Sequence, residues 1–238
     1  MGMPVIVDVP IATIETLEAV FAYFTAVDAR FSTYKVESEI SKIDRGEISQ
    51  GDYSDEMREI FALAERTKSE TSGYFDIRRP DGRIDPSGVV KGWAILQAAK
   101  LLESLGFDHY YVEVGGDIQT RGVDARGVPW TIGIRNPFKH DELVKILRPE
   151  GLGVATSGTY IRGQHIYNPH VPGGELTDIV SLTVVGPDIL EADRFATAAF
   201  AMGKEGIVFI EELDGFEGYA IDAGGTATMT SGFNQLTL

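Results

Sequence analysis

Apolar residues recur at helical spacing between Thr13 and Phe31 (Ile14, Leu17, Val20, Phe21, Phe24, Val27), which predicts an amphipathic helix there. Before it, Met3 to Val9 reads as a short β-strand ended by Pro10. The helix runs into a polar segment, Phe31 to Ile43, where Ser and Thr cluster around Tyr34 and predict a loop with an exposed ring. Ser54 to Thr71 repeats the helical pattern, with Met57, Ile60, Phe61 and Ala64 on one side, an N-cap at Ser54 and a stop at Gly73. A turn-rich stretch from Tyr74 to Ala94 then feeds a third helix that reaches Leu105.

Beyond it the pattern changes. Tyr110 to Val114 and Ile118 to Thr120 read as strands broken by Gly115-Gly116-Asp117, a bulge or tight turn. Trp130 to Ile134 alternates in strand fashion, a charged loop follows, and Gly153 to Gly158 and Asp178 to Val185 read as further strands. Glu191 to Gly203 reads as an apolar helix, Ile207 to Leu213 as a strand, and Tyr219 to Leu238 as strand-like runs. Helices interleaved with hairpin-length strands, without a repeated βαβ rhythm, predict an α+β fold. No internal repeat or linker divides the 238 residues, so one domain over 1–238 is expected.

Composition narrows the chemistry. With 43% hydrophobic and 24% charged residues the chain is of ordinary globular make-up. A formal net charge of -15, with Lys and Arg scattered, disfavours nucleic-acid and membrane partners. The absence of cysteine removes disulfides, thiolate metal sites and cysteine nucleophiles. No apolar run is long enough to span a bilayer and the first residues carry no basic leader, so a cytoplasmic location is expected for the chain as it stands. An exported form stays open if a leader has been removed.

Two polar residues interrupt the apolar helix. Asp193 and Thr197 stand one turn apart on the same face, where a carboxylate and a hydroxyl could share one hard cation. The plainer alternative is a carboxylate favoured by the first turn and a threonine bonded back to a carbonyl. Gly88 and Gly92 leave room for a ligand near the backbone, and Lys91 puts a positive charge beside them. This resembles an anion cradle but lacks the Walker spacing. Of the four histidines, only His165 lies in a motif, Gln164-His165-Ile166-Tyr167-Asn168-Pro169, and none are paired at zinc-helix spacing. Oxygen ligands remain, which suit Mg²⁺ bridging protein to phosphate and predict phosphoryl chemistry on a diphosphate.

Several segments occur together in the order seen in one family. They are Asp85-Pro86-Ser87-Gly88-Val89-Val90-Lys91-Gly92-Trp93-Ala94, Val112 to Ile118, Ala155-Thr156-Ser157-Gly158, Gln164 to Pro169 and Ala192 to Ala198, with Met1-Gly2 and Phe31 to Tyr34 matching the opening. By these the chain resembles the ApbE family of FAD:protein FMN transferases over nearly its entire length. The resemblance implies an α+β fold related to the T-fold, with mixed, largely antiparallel sheets, helices, and a flavin cleft between two lobes. It implies FAD contacts from Met1, Tyr34, Tyr74, Phe75, Asp76, Asp85, Lys91, His165 and Ile166. The Gly88 carbonyl, Asp193 and Thr197 would hold Mg²⁺, and His165 would move a proton in catalysis. The implied reaction moves FMN from FAD to a Thr or Ser hydroxyl of an acceptor flavoprotein and releases AMP. Two alternatives are an FAD pyrophosphatase and an FAD-binding protein without catalysis. The chain departs from the family pattern at Pro86, Glu113, Asn168 and Ala196.

Overall fold

The computed structural model describes residues 2–159, 166–171, 174 and 176–238. Strand β1 (Val5–Asp8) precedes α1 (Ile14–Phe31), whose N-cap Thr13 accepts from the Thr16 N–H and whose Val20, Phe24, Val27 and Phe31 turn inward. The segment expected to be a loop contains a short helix, α2 (Glu39–Asp44), which buries Ile40 and Ile43. Its six residues are too few to display a period. What stabilises it is Ser38, whose Oγ caps Ser41 N and donates to the Ser32 carbonyl. In α3 (Asp55–Glu70) the predicted cap Ser54 accepts from Met57 N at 3.2 Å, while Glu39 receives both its N–H and its O–H at 2.7 Å. The third predicted helix is α4 (Ser87–Ser104).

The strands follow as β2 (Tyr110–Val114), β3 (Asp117–Arg121), β4 (Ile132–Asn136), β5 (Lys139–Leu147), β6 (Gly153–Gly158) and β7 (Ile179–Gly186). Then come α5 (Ile189–Ala201), α6 (Gly206–Glu211), β8 (Glu217–Asp222) and β9 (Ala227–Met229). Two sequence expectations are corrected here. The charged loop after β4 is the strand β5, paired with β4 as a separate antiparallel hairpin. The Ile207–Leu213 strand is instead α6, because Gly206 lets it seat against the backbone of α5: a Cβ there would lie 2.0 Å from the Ala199 carbonyl oxygen.

Seven strands form one antiparallel sheet in the order β1-β2-β3-β6-β7-β8-β9. Its alternation feeds two cores. Ala155, Val184 and Ala220 point to the helices, whereas Val154, Val185, Tyr219 and Ile221 meet Ile132, Ile134 and Leu147 of the β4–β5 hairpin and Phe233. Helix α5 packs against α4 and against β6 and β7, while α4 packs beside it on β2 and β3. Two glycines permit that approach, since a Cβ on Gly153 would come within 2.1 Å of Ile189 N and one on Gly92 within 2.7 Å of the Asp193 Cβ. The sheet, α4 and α5 thereby hold three polar segments against one another. Among the described residues no helix is long and apolar enough to cross a membrane.

Candidate functional site

Asp117 reaches the interior through a hairpin. Gly115 and Gly116 take φ of 61° and 98°, the two-residue loop that joins β2 to β3 in register Val114 to Asp117. The turn read from Gly-Gly-Asp therefore delivers a carboxylate at the head of β3, with no exposure. Its Oδ1 accepts from the Thr156 N–H of β6 at 3.0 Å, and its Oδ2 meets Lys91 Nζ. Lys91, on α4, also lies 3.2 Å from Asp193 Oδ1, while Asp193 Oδ2 accepts from the Gly92 N–H at 2.7 Å. Two buried carboxylates from different elements thus share one ammonium. Burial pushes the Asp193 carboxyl up to about 7; Lys91 opposes that rise and Asp117 adds to it.

Lys91 and Asp193 open onto a cleft. It is lined by Tyr74, Phe75, Asp76 and Asp85, by Gly88 and Lys91 of α4, by Ile166, and by Asp193 and Thr197 of α5. The structure thus brings together nine of the residues singled out in the sequence. It adds Met3, Arg79, Ser87, Gly115, Thr156, Ser157, Gly158, Tyr167 and Pro169. Tyr167 lay in plain sight within the His165 motif: its hydroxyl donates to the carbonyls of Asp76 and Arg78 at 2.9 and 3.1 Å, closing one wall. Asp117 was missed because nothing local announces that β3 runs beside the α4 lysine.

Other expected residues fall elsewhere. Tyr34 is 94% exposed and outside the cleft lining, carried on a turn that Ser38 ties back through the Ser32 and Lys35 carbonyls. Met1 and His165 lie outside the described residues. Asp76 is engaged by Lys68 Nζ at 2.6 Å and by the Arg78 N–H at 2.8 Å. Asp85 accepts from the Ser87 N–H at 3.1 Å and so caps α4 in place of Pro86, with Arg79 3.8 Å away.

Three of the four departures from the family pattern, Glu113, Asn168 and Ala196, lie outside the cleft lining. Glu113 accepts from the Tyr111 hydroxyl at 2.5 Å, and Asn168 Oδ1 accepts from the His170 N–H at 2.9 Å. Ala196 is fully buried in the apolar core, facing away from the cleft.

The donor set fits a hard divalent cation. Among the described residues no three His, Asp or Glu side chains gather as a metal cage, which suits an ion completed by waters and substrate phosphates. The helical threonines Thr25, Thr67 and Thr71 bond back to carbonyls four residues earlier, but among the described residues Thr197 makes no side-chain hydrogen bond. The plainer alternative for Thr197 is not realised, and its hydroxyl is available to a ligand. The Gly92 N–H donates to Asp193, and the Gly88 carbonyl one turn earlier has two lone pairs with which to accept. Gly88 itself sits where a Cβ would come within 2.9 Å of the Phe75 ring and 3.2 Å of Thr197 Cγ2.

Comparison with known proteins gives one consistent result. The family model described as the ApbE family matches residues 1–79 and 77–220. An FAD:protein FMN transferase of Vibrio cholerae is 32% identical over 162 residues, covering 59% of this chain and 48% of its own length. That of Escherichia coli is 31% identical, covering 66% and 47%. The chain thus spans about half the length of these two curated relatives. The relative from Haemophilus influenzae is 24% identical across 94% of this chain and 84% of its own. Among solved structures, the flavin transferase ApbE of Vibrio cholerae superposes with a TM-score of 0.86 at 24% identity, covering 99% of this chain and 96% of that one. The ApbE protein of Thermotoga maritima does so with 0.87 at 20%, covering 100% and 96%.

Proposed function

The chain belongs to the ApbE family, and from that membership and the chemistry of the cleft we propose that it transfers FMN from FAD to a Thr or Ser hydroxyl of an acceptor flavoprotein in a Mg²⁺-dependent reaction. The observation that carries the proposal is the pair of buried carboxylates, Asp117 and Asp193, sharing the single Lys91 ammonium beside the unengaged Thr197 hydroxyl. Such a place has a surplus of negative charge that a divalent cation relieves.

Asp193, Thr197 and the Gly88 carbonyl would hold the ion. Mg²⁺ there supplies positive charge to the pyrophosphate and to the oxygen that leaves with AMP. Tyr74, Phe75, Ile166 and Tyr167 offer ring and aliphatic walls that grip the planar parts of FAD and exclude water. Lys91 faces the same space and adds a second cation for the phosphates. In the transfer, the acceptor hydroxyl oxygen bonds to the FMN phosphorus while the bond from that phosphorus to the bridging oxygen breaks. AMP departs with the bridging oxygen, and the hydroxyl proton passes to a base, the role proposed for His165. Orientation in the cleft does much of the remaining work, as a bimolecular step becomes an oriented one.

The test is incubation of the purified chain with FAD and either MgCl₂ or EDTA, with and without flavin-poor protein extract. AMP is read by chromatography and protein-bound flavin by in-gel fluorescence. We expect Mg²⁺-dependent AMP release matched by protein-bound flavin, and a loss of about a hundredfold or more in Asp193→Ala. AMP with an equal yield of free FMN and no protein-bound flavin would assign hydrolysis instead. FAD retained intact under all conditions would leave a binding protein.

A further inference from the structure

We infer that Asp117 is a positioning residue: the buried counter-ion that keeps Lys91 from neutralising Asp193, so that the ammonium and a divalent cation can occupy the cleft together. The inference rests on the metal site proposed above. Asp117 does not itself line the cleft, whereas Lys91 and Asp193 do. Its side chain is 1% exposed, that of Asp193 2% and that of Lys91 15%, so all three charges interact with little screening by water.

The arithmetic of charge decides the matter. Lys91 alone against Asp193 would form a neutral pair with nothing left to attract Mg²⁺. Asp117 brings a second carboxylate, and with both carboxylates ionised the trio carries one net negative charge in the interior. Asp117 is also fixed where that charge is useful. Its Oδ1 is tied to the Thr156 N–H of β6, leaving Oδ2 directed at Lys91 Nζ. The ammonium is therefore drawn toward the sheet and away from Asp193, whose Oδ1 it still meets at 3.2 Å. A buried ion pair is costly to break from one side and nearly neutral to replace from both sides, which makes a paired substitution informative.

Isothermal titration of MgCl₂ into flavin-free protein tests this, with thermal unfolding of each variant as a check on folding. In Asp117→Asn the amide oxygen can still accept from Thr156, but the amide group no longer holds Lys91. The ammonium then settles on Asp193, and Mg²⁺ affinity is expected to fall by at least about tenfold. The double variant Asp117→Asn with Lys91→Met again leaves one net negative charge, and Mg²⁺ affinity is expected to return to within about threefold of wild type. Equal affinity in wild type and Asp117→Asn would overturn the inference. So would a loss that the double variant fails to restore, which would make Asp117 a direct ligand or a structural support. Absence of Mg²⁺ binding by wild type would overturn the metal site and this inference with it, whereas wild-type binding with an indifferent Asp117→Asn would overturn this inference alone.

Discussion

Asp193 carries a charge that the fold resists, because burial raises its carboxyl against the opposing pull of Lys91 and with the help of Asp117. A carboxyl with a folded-state pKa above its unfolded value holds its proton more tightly when folded. Its contribution to stability is present at low pH and is lost as the pH rises from the unfolded to the folded value. In EDTA, wild type should therefore lose stability relative to Asp193→Asn as the pH is raised from about 4 to about 7. Denaturant unfolding of both proteins at fixed ionic strength checks this, and parallel curves across that range would refute it. At this scale the sequence was partly legible. Asp193 and Thr197 announce themselves because helical spacing puts them on one face, and Lys91 does so beside two glycines. Asp117 does not, because its neighbours spell only a turn. Its meeting with Lys91 depends on β3 lying beside α4, and its meeting with Thr156 on β3 pairing with β6. Tyr34 shows the opposite case: the sequence correctly marked an exposed ring, and the structure leaves it out of the cleft lining.

At the scale of elements, α5 is pinned by more than the glycine contacts. Arg194, next to Asp193, is 4% exposed on its side chain and stacks 3.9 Å over the Phe195 ring. Its guanidinium donates to Glu191 and to Glu70 of α3, and Arg66 of α3 meets Glu191 at 3.1 Å. Because the arginine is the most buried member, removing an acid harms more than removing the base. Glu191→Ala should cost about 1–3 kcal/mol, discounted for the partial exposure of the acids, and Arg194→Met should cost less. Urea midpoints of the two variants decide the order, and the reverse order would refute this account of how α5 is held. Long elements were legible because their apolar stripes repeat: α1 and α3 begin at the caps that mark them, whereas α4 already begins at Ser87, inside the stretch read as turns, because Gly88 and Gly92 in its first turns look like loop residues. Short ones were not. In α6 the run Ile207-Val208-Phe209-Ile210 has the residues of a strand, and only contact with α5 through Gly206 makes it helical. In β5 the charges that suggest a loop belong to one strand of a two-stranded hairpin over the second core, and a bulge at Ile134 to Asn136 breaks the alternation that would mark it.

For the whole molecule, the question is how a protein of net charge -15 receives a dinucleotide that brings a negatively charged pyrophosphate. The cleft repeats the problem locally, because among the described residues Asp76, Asp85 and Asp193 line it against Arg79 and Lys91. Both cations are already engaged by carboxylates, Arg79 by Asp81 and Lys91 by Asp117 and Asp193. Long-range repulsion between like-charged partners is screened by salt, whereas attraction to a bound cation is weakened by it. In EDTA, FAD affinity should accordingly rise as ionic strength is taken from about 0.02 to about 0.2 M, and in saturating Mg²⁺ that rise should vanish or reverse. Flavin fluorescence titrations at the two ionic strengths make the comparison. An affinity that falls with salt even in EDTA would mean that Arg79 and Lys91 outweigh the net charge, and that the cleft attracts the pyrophosphate without a metal. Repulsion in EDTA that Mg²⁺ removes would instead make the cation the element that lets an acidic protein accept an anionic substrate. The buried charge surplus around Asp193 would then serve to hold that cation ahead of the dinucleotide.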